Sequence, residues 1–289
     1  MPYTSRRFGE AEIVPLCDQA IAEPLSDGFP DPPAGGWDEI LARYPAQFLG
    51  DAATWNAHTH CFVVRVGGVT VLVDAGVGPA HAPYADGVAS ALPDELAAAG
   101  VAPDEVDHVV ITHLHGDHFG WCLAAEKPAR PMFPRARYHL PRSDWGSQLW
   151  DATPQARAEF DLLLAPLEGL GVLELTDDAA VITPGVVLDP TPGHTAGHRC
   201  VRVEAGGPAV LVAGDLAHHP AEVEDLGLLT SYDGDPELGR ATRADRLRTS
   251  ARERTVLATA HFVEPFGRIA PSARGLEWVS LGRGVDGSS

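Results

Sequence analysis

Short runs of β-branched and aromatic residues, separated by glycine and proline, dominate the chain from Thr59 onward. The segments HCFVVRV and VTVLVDAG flank Gly67 and Gly68, a pattern typical of a β-hairpin. Further short apolar runs predict strands at 107–112, 186–192, 199–205, 208–215 and 255–262. Longer stretches without such runs predict helices at 90–99, 143–150, 155–167 and 236–251.

The first fifty residues follow a different pattern. They are rich in proline and glycine, as in FPDPPAGG, and show little periodicity. We expect loops and one short helix near Trp37–Tyr44, wrapped over the core of a single domain that spans 1–289. Strands in both halves of the chain, with helices between them, predict an α/β fold in which two mixed sheets pack together and helices cover the outer faces.

The charge of the chain narrows the classes of partner. It has 289 residues, with 40 Asp and Glu against 21 Lys and Arg, a formal net charge of −19. Nucleic acid binding depends on basic surface that displaces counterions from phosphates, and the sequence has no basic run. Nucleic acid and anionic membrane are therefore poor candidates, and a small-molecule substrate is expected. A homodimer remains open.

Two further features bear on location and redox state. The N-terminal sequence has no apolar run of signal-peptide length, and no segment reaches the roughly 18 apolar residues of a membrane span. A cytoplasmic protein is therefore expected. The four cysteines, at positions 17, 61, 122 and 200, show no C-x-x-C spacing. Reduced and mostly buried thiols are expected rather than a zinc ribbon or a redox pair.

The strongest chemical signal is THLHGDHFGW, residues 112–121, which follows a predicted strand. His113 and His115 flank one residue, so both imidazoles can face one point. Asp117 and His118 are then available to a second ion a few ångströms away. Imidazole nitrogen and carboxylate oxygen are the ligands expected for zinc and related divalent ions. The alternative, four polar residues in a solvated turn, does not explain this density at the end of an apolar strand.

Three more candidate ligands also follow strands. His194 lies in TPGHTAGH, Asp215 ends VLVAGD, and His261 ends TVLATAH. Sites in α/β architectures collect at the carboxyl ends of strands. Asp215 suits a bridging position, because each oxygen of a carboxylate can bind one ion. The predicted metal ligands are His113, His115, Asp117, His118, His194, Asp215 and His261.

The motifs LVDAG, HLHGDH, TPGHTAGH and AGD, followed by the last histidine, resemble the metallo-β-lactamase superfamily over about residues 55–270. The resemblance implies an αβ/βα four-layer sandwich with a binuclear site at one edge of the sheets. It also implies that His113, His115 and His194 bind the first metal, that Asp117, His118 and His261 bind the second, and that Asp215 bridges them. Asp74 resembles a residue that orients ligands, with a plain turn aspartate as the alternative.

The histidines outside the ligand set carry weaker predictions. His198 is expected to be a buried, hydrogen-bonded support. His58 and His60 lie at the pocket rim or in the core. His81, His108 and His139 are expected on the surface or in the core.

Within the superfamily, the sequence is most similar to the lactonase-like and phosphotriesterase-like branch, which includes N-acyl-homoserine lactonases and methyl parathion hydrolase. THLHGDHFGW, MFPRARYHLPRSDW, GDLAHHP and AHFVEPFGRI carry this similarity. Homoserine lactonases tend to place a tyrosine shortly after the bridging aspartate, where this chain has Leu216-Ala217-His218-His219. That departure puts the homoserine-lactone substrate in doubt.

Other branches fit less well. Zinc β-lactamases carry a cysteine where Asp215 stands, and redox members carry an acidic residue where His115 stands. Thioesterases of the glyoxalase II type share all seven ligands but add a basic helical segment at the C-terminus. They remain the alternative, together with phosphotriesterases. A partner-binding member without activity is disfavoured, because all seven ligands are present.

The expected chemistry is hydrolysis of a small ester, lactone or related acyl substrate by a metal-bridging hydroxide. The two divalent ions are expected to be zinc, with iron or manganese as alternatives. Asp117 or His218 would protonate the leaving group. An apolar wall for the substrate, or alternatively plain core, is expected from Phe119, Trp121, Phe262 and Phe266.

Overall fold

The computed structural model describes residues 4–79, 90–124, 130–147, 153–177 and 179–282. Two seven-stranded sheets follow one another along the chain. The first sheet consists of β1 (Arg6–Phe8), β2 (Ala11–Pro24), β3 (Thr54–Val66), β4 (Val69–Val73), β5 (His108–Val110), β6 (Arg137–Leu140) and β7 (Leu173–Leu175). The second consists of β8 (Val181–Thr183), β9 (Val186–Pro190), β10 (Arg199–Val203), β11 (Val210–Val212), β12 (Val256–Ala258), β13 (Phe266–Ser272) and β14 (Gly275–Ser280).

Both sheets are mixed. Strands β4 to β7 run parallel to one another, as do β11 and β12, and the remaining pairs are antiparallel. Among the described residues, the helices are α1 (Leu25–Gly28), α2 (Trp37–Arg43), α3 (Leu92–Ala98), α4 (Gly116–Phe119), α5 (Arg142–Trp145), α6 (Pro154–Glu159), α7 (Ala165–Gly169), α8 (Ala221–Glu224) and α9 (Pro236–Glu253). A π-helical turn spans Phe160–Leu164, and 3₁₀ turns span Pro45–Gln47, Pro103–Glu105 and Gly214–Leu216.

The second half of strand β3 contains a continuous apolar run, residues 61–64. Successive side chains of a strand point to opposite faces of the sheet. Phe62 and Val64 belong to the core between the two sheets, whereas Cys61 and Val63 belong to the core between the first sheet and its helices. Both faces of the strand are buried, so a continuous apolar run replaces the alternation of a half-exposed strand.

Helices cover the outer faces of both sheets. Leu92 and Leu96 of α3, with Leu167 of α7, pack in the core on the outside of the first sheet. Leu247 of α9 packs with Leu257 of β12 on the outside of the second. The α/β prediction, two mixed sheets with helices on the outer faces, is confirmed.

The prediction of loops for the first fifty residues is wrong in part. Residues 6–8 and 11–24 form β1 and β2, and β2 pairs along nearly all of β3. The register shifts between Cys17 and Gln19, a β-bulge that interrupts the alternation of the strand. That bulge, together with Pro15 inside the strand, hides the period of two in the sequence. The short helix near Trp37 is confirmed as α2, and the extent of the domain remains a prediction.

The other predicted elements have counterparts in the structure, in most cases with shorter bounds. Gly67 and Gly68 have φ of 59° and 82°, the left-handed values that a two-residue hairpin turn requires. The helix predicted at 155–167 is divided into α6, the π turn and α7. The end of the helix predicted at 143–150 lies outside the described residues. Within the described ranges, no helix is long and apolar enough to cross a bilayer.

Candidate metal centre

Seven predicted ligands meet at one edge of the two sheets. His113 and His115 lie in the loop after β5, and Asp117 and His118 lie in α4, which follows directly. His194 follows β9, Asp215 lies in the 3₁₀ turn after β11, and His261 follows β12. Because β4 and β5 are parallel, as are β11 and β12, the carboxyl ends of these strands open toward a common edge.

The first group is formed by His113, His115, His194 and Asp215. His113 Nε2 lies 3.1 Å from His115 Nδ1 and 3.1 Å from His194 Nε2, and His194 Nε2 lies 2.9 Å from His115 Nδ1. Asp215 Oδ2 lies 3.6 Å from His113 Nε2 and 3.3 Å from His194 Nε2. Three nitrogens and one oxygen therefore surround a single point.

The second group is formed by Asp117, His118 and His261. His118 Nε2 lies 3.4 Å from Asp117 Oδ2, and His261 Nε2 lies 3.8 Å from the same oxygen. Asp215 Oδ1 lies 3.2 Å from His118 Nε2 and 3.0 Å from His261 Nε2. One oxygen of Asp215 thus faces each group.

Hydrogen bonds on the far side of the rings fix which nitrogen faces inward. His118 Nδ1 lies 2.9 Å from Asp74 Oδ2, and His261 Nδ1 lies 2.7 Å from the carbonyl oxygen of His58. Since these oxygens accept, Nδ1 carries a hydrogen and Nε2 is the nitrogen that faces the site. His194 Nδ1 faces Asp233 Oδ1 at 3.3 Å in the same way. Such outer partners are typical of metal-binding histidines.

The protonation of these groups also suits a cation. Burial lowers the pKa of His113 and of His194 well below the ordinary value, so both rings are neutral. Burial works against ionisation of Asp215, but His118, His261 and other nearby histidines hold its pKa well below the ordinary value. Lone pairs that face one another at about 3 Å repel unless a cation lies among them.

The spacing of the donor atoms fits zinc. With bonds of about 2.0–2.1 Å, two ligands of a tetrahedral zinc ion lie roughly 3.3 Å apart. The donor pairs of the first group span 2.9 to 3.6 Å, and those of the second group span 3.0 to 3.8 Å. The donor set of nitrogen and carboxylate oxygen, without sulfur, is also what zinc and related ions accept.

Asp74 is the central support of His118. Its Oδ1 accepts from the backbone N of Thr112 at 2.8 Å, and its Oδ2 accepts from Thr112 Oγ1 at 3.0 Å and from His118 Nδ1. Its φ of 62° is left-handed, a conformation that is costly for a residue with a side chain. The structure therefore gives Asp74 the orienting role that the family resemblance implies, rather than that of a plain turn residue.

His198 supports Asp215 through the backbone, as predicted. Its Nδ1 lies 2.9 Å from the carbonyl oxygen of Thr191, and its Nε2 accepts from the backbone N of Asp215 at 3.0 Å. Burial lowers the pKa of His198 to about 4, so the ring is neutral and Nε2 can accept. Gly214 lets the ring approach, since a Cβ there would lie 2.9 Å from His198 Nε2.

Asp144 is a support that the sequence did not reveal. Its Oδ2 accepts from the backbone N of Leu114 at 3.1 Å and from Thr195 Oγ1 at 2.7 Å, and its Oδ1 accepts from the backbone N of Gly197 at 2.7 Å. One buried carboxylate thus ties the loop of His113 and His115 to the loop of His194. The segment PRSDW carries no local signal for this role.

A buried ion cluster behind the site was also missed. Arg243 Nη1 lies 3.1 Å from Glu222 Oε1 and 3.2 Å from Asp233 Oδ2, and all three side chains are almost fully buried. Asp233 contacts His194 Nδ1, and Glu222 Oε2 lies 3.5 Å from His218 Nδ1. Arg243, on α9, therefore holds two carboxylates that each face a histidine of the site.

His218 lies between two carboxylates. Its Nε2 is 3.5 Å from Asp215 Oδ2, and its ring stacks on His261 and contacts Tyr232 with centroids 5.0 Å apart. Burial lowers the pKa of His218, but the neighbouring carboxylates of Asp215 and Glu222 have the larger effect and raise it to about 10. Cations at Asp215 would oppose this increase.

A cavity of about 420 Å³ opens over the donor groups. Its lining includes His115, Asp117, His194, Asp215, His218 and His261, with an apolar part formed by Ile21, Trp55, Ala57, Leu114 and Ala156. The four aromatic residues that were predicted to form an apolar wall are not among these lining residues. Phe119, Phe262 and Phe266 are fully buried core residues, and Trp121 packs against the core and donates to Ser90 Oγ.

The remaining histidines and the cysteines divide as follows. His58 lines the cavity, whereas His60 is buried. His108 and His139 contact each other at 3.0 Å, and His139 is a core residue. His81 lies outside the described residues. The four cysteines, all within the described residues, form no disulfide; Cys61, Cys122 and Cys200 are buried and Cys17 is half-buried.

Comparisons with known proteins agree with this geometry. A family model described as "Metallo-beta-lactamase superfamily" matches residues 55–261. The Mycobacterium tuberculosis protein named "Probable metallo-hydrolase Rv2300c" is 33% identical over 135 residues, which are 42% of this chain and 40% of that protein. The match thus spans well under two thirds of that relative's length.

Two solved structures share the fold over nearly the whole chain. The first, hydrolase AbOPH in the beta lactamase superfamily, has a TM-score of 0.82, 21% identity and 97% coverage of each chain. The second, the dizinc quorum-quenching lactonase AidC with a bound product, has a TM-score of 0.79, 20% identity, and coverage of 96% of this chain and 97% of that one. At these identities the likeness concerns the fold. The matched family model, the two packed sheets and the donor groups at their edge show that this chain belongs to the metallo-beta-lactamase superfamily.

Proposed function

We propose that the chain is a binuclear metal-dependent hydrolase of small, uncharged esters or lactones. One ion would be held by His113, His115 and His194, and the other by Asp117, His118 and His261. Asp215 would bind both ions. The observation that carries the proposal is the geometry of Asp215, whose two oxygens face two separate donor groups beneath a single cavity. Two bound divalent ions would supply an activated water and a Lewis acid for the scissile group.

The protein itself would orient the substrate and manage the proton. His218 lines the cavity, and Glu222 lies behind its other nitrogen, so the ring is held in place to donate to a leaving oxygen. Asp117 is the second candidate, because its carboxylate also lines the cavity. Tyr232, whose hydroxyl bonds to Glu23, contacts the ring of His218 and also lines the cavity.

The walls of the cavity support an acyl substrate without negative charge. The apolar side chains of Ile21, Trp55 and Leu114 can contact an alkyl or aryl group. Among the described lining residues there is no lysine or arginine, and Glu23 adds a carboxylate. A glutathione thioester carries carboxylates of its own, so the thioesterase alternative is disfavoured. Neutral phosphotriesters meet the same requirement as neutral esters and remain the second candidate.

The test compares substrates on metal-loaded protein. The panel contains N-acyl-homoserine lactones of several chain lengths, a γ-lactone, an aryl ester, a neutral aryl phosphotriester and S-lactoylglutathione. We expect the best kcat/KM on a neutral lactone or ester and the poorest on the glutathione thioester. Asp215→Ala should abolish hydrolysis, and metal removal followed by zinc addition should abolish and restore it.

A matched control keeps the test specific. His108→Gln changes a histidine that contacts His139, away from the donor groups, and should leave turnover at the wild-type level. Hydrolysis that survives both chelation and Asp215→Ala would overturn the metal-dependent mechanism. A clear preference for S-lactoylglutathione would instead favour the thioesterase.

A further inference from the structure

A second cluster of metal-binding side chains lies outside the seven-residue site, on strands β2 and β3. The register pairs Cys17 directly with His60, and His58 lies two residues before His60 on the same face of β3. One ligand atom from each of the three side chains lies within 4.8 Å of the others. The β-bulge after Cys17 marks this place in β2.

The atoms that face one another are chemically suited to a cation. Cys17 Sγ lies 3.4 Å from His58 Nδ1. His60 Nε2 lies 3.0 Å from the carbonyl oxygen of Phe262, and because a carbonyl accepts, Nε2 carries the hydrogen and Nδ1 the lone pair. With zinc bonds of about 2.3 Å to sulfur and 2.0–2.1 Å to nitrogen, a tetrahedral site places a sulfur ligand and a nitrogen ligand roughly 3.5 Å apart. The separation of Cys17 Sγ and His58 Nδ1 agrees with this value.

We propose that Cys17, His58 and His60 form a third metal site, for a thiophilic divalent ion such as Zn²⁺. Three protein ligands leave a fourth position for water. His60 and His58 are buried and Cys17 is half-buried. The thiol loses its proton to solvent when the ion binds, and both imidazoles coordinate in the neutral form.

The site would lie in the wall of the main cavity. His58 lines that cavity, and its carbonyl oxygen accepts from Nδ1 of His261 in the second donor group. The two sites nevertheless differ in one decisive respect. The seven-residue site offers only nitrogen and oxygen, whereas this cluster adds sulfur, which selects softer ions and has its own spectroscopic signature.

Cobalt(II) titration of metal-stripped protein tests the proposal directly. Thiolate bound to Co²⁺ absorbs in the near ultraviolet by charge transfer, and the nitrogen and oxygen donors of the seven-residue site do not produce this band. We expect wild type to take up a third equivalent of Co²⁺ together with the band. Cys17→Ser should remove both, and His58→Gln or His60→Gln should weaken the uptake.

Two controls separate this site from the rest of the molecule. Cys61→Ala changes the neighbouring cysteine on the opposite face of β3 and should keep the band. Asp215→Ala damages the seven-residue site and should also keep it, so failure of one site is distinguishable from failure of the other. Thermal unfolding of metal-free Cys17→Ser confirms that the variant is folded.

Two outcomes would overturn the proposal. One is wild type that binds no third equivalent and shows no thiolate band, which would leave Cys17 and His58 as a hydrogen-bonded thiol and imidazole only. The other is a band of equal intensity in Cys17→Ser, which would place the bound sulfur elsewhere in the chain.

Discussion

Replacement of Arg243 tests whether the buried ion cluster stabilises the site. The side chain is 1% exposed, and its guanidinium lies between Glu222 and Asp233 at 3.1 and 3.2 Å. Arg243→Met keeps the apolar stem and removes the charge, so two buried carboxylates lose their common cation. Breaking a buried ion pair in this way costs about 3–5 kcal/mol.

The lower end of that range applies here. Glu222 keeps part of its stabilisation, because its Oε2 still accepts from the backbone N of His218 and of His219 at 2.6 and 3.0 Å. We therefore expect the free energy of unfolding to fall by about 3 kcal/mol near neutral pH. For a chain of this length that corresponds to a decrease in Tm of roughly 5 °C.

The assay is urea unfolding of metal-stripped protein, followed by circular dichroism, so that altered metal affinity does not contribute. Arg243→Lys keeps the charge and should lose less stability. The neutral triple variant Arg243→Met, Glu222→Gln, Asp233→Asn should recover most of the loss, because no uncompensated charge remains. The loss in Arg243→Met should also shrink as the pH falls, since the stranded carboxylates then take up protons.

Two results would refute this reasoning. If Arg243→Met unfolded at the same urea concentration as wild type, the cluster would not be a net stabilising element. If the triple variant were no more stable than Arg243→Met, uncompensated charge would not be the cause of the loss.

Three further predictions concern the supports of the site. Asp144→Asn should lower metal affinity roughly 10–100-fold, measured by competition with a chelator, because the amide keeps only one accepting oxygen and turns an NH2 group toward either Gly197 N or the donors of Leu114 and Thr195; unchanged affinity would contradict the role of Asp144. His218→Gln should lower turnover roughly 10²-fold with metal content unchanged; loss of metal would instead place His218 in the coordination shell. Burial raises the pKa of Glu222, but Arg243 and His218 lower it by more. The resulting pKa is about 2, below the ordinary 4.5. Its stabilising contribution is therefore fully present above about pH 4.5 and is lost as the pH falls toward 2. Glu222→Gln should accordingly show a flatter decline of the unfolding free energy than wild type between about pH 5 and 3, and an equal decline would contradict the shifted pKa.

The sequence by itself determined the fold class and the residues that form the two donor groups. Short apolar strands buried on both faces leave a continuous hydrophobic run that is visible without any structure, and the hairpin glycines mark their turns. The predicted ligands each follow a strand within a few residues, so local spacing was enough to select them. His113, His115, Asp117 and His118 are close in the chain because one loop and one helical turn carry all four.

The tertiary structure alone revealed three further residues behind that site. Asp144, Asp233 and Arg243 lie on three separate segments. Asp144 and Asp233 contact the histidine loops across up to 53 positions of the chain, and Arg243 in turn holds Asp233. No periodicity records such a contact, because a buried carboxylate is satisfied by whichever donors the fold brings to it. Strand β2 was hidden for a related reason. Its bulge disrupts the local alternation, and its pairing with β3 is fixed only when the sheet forms.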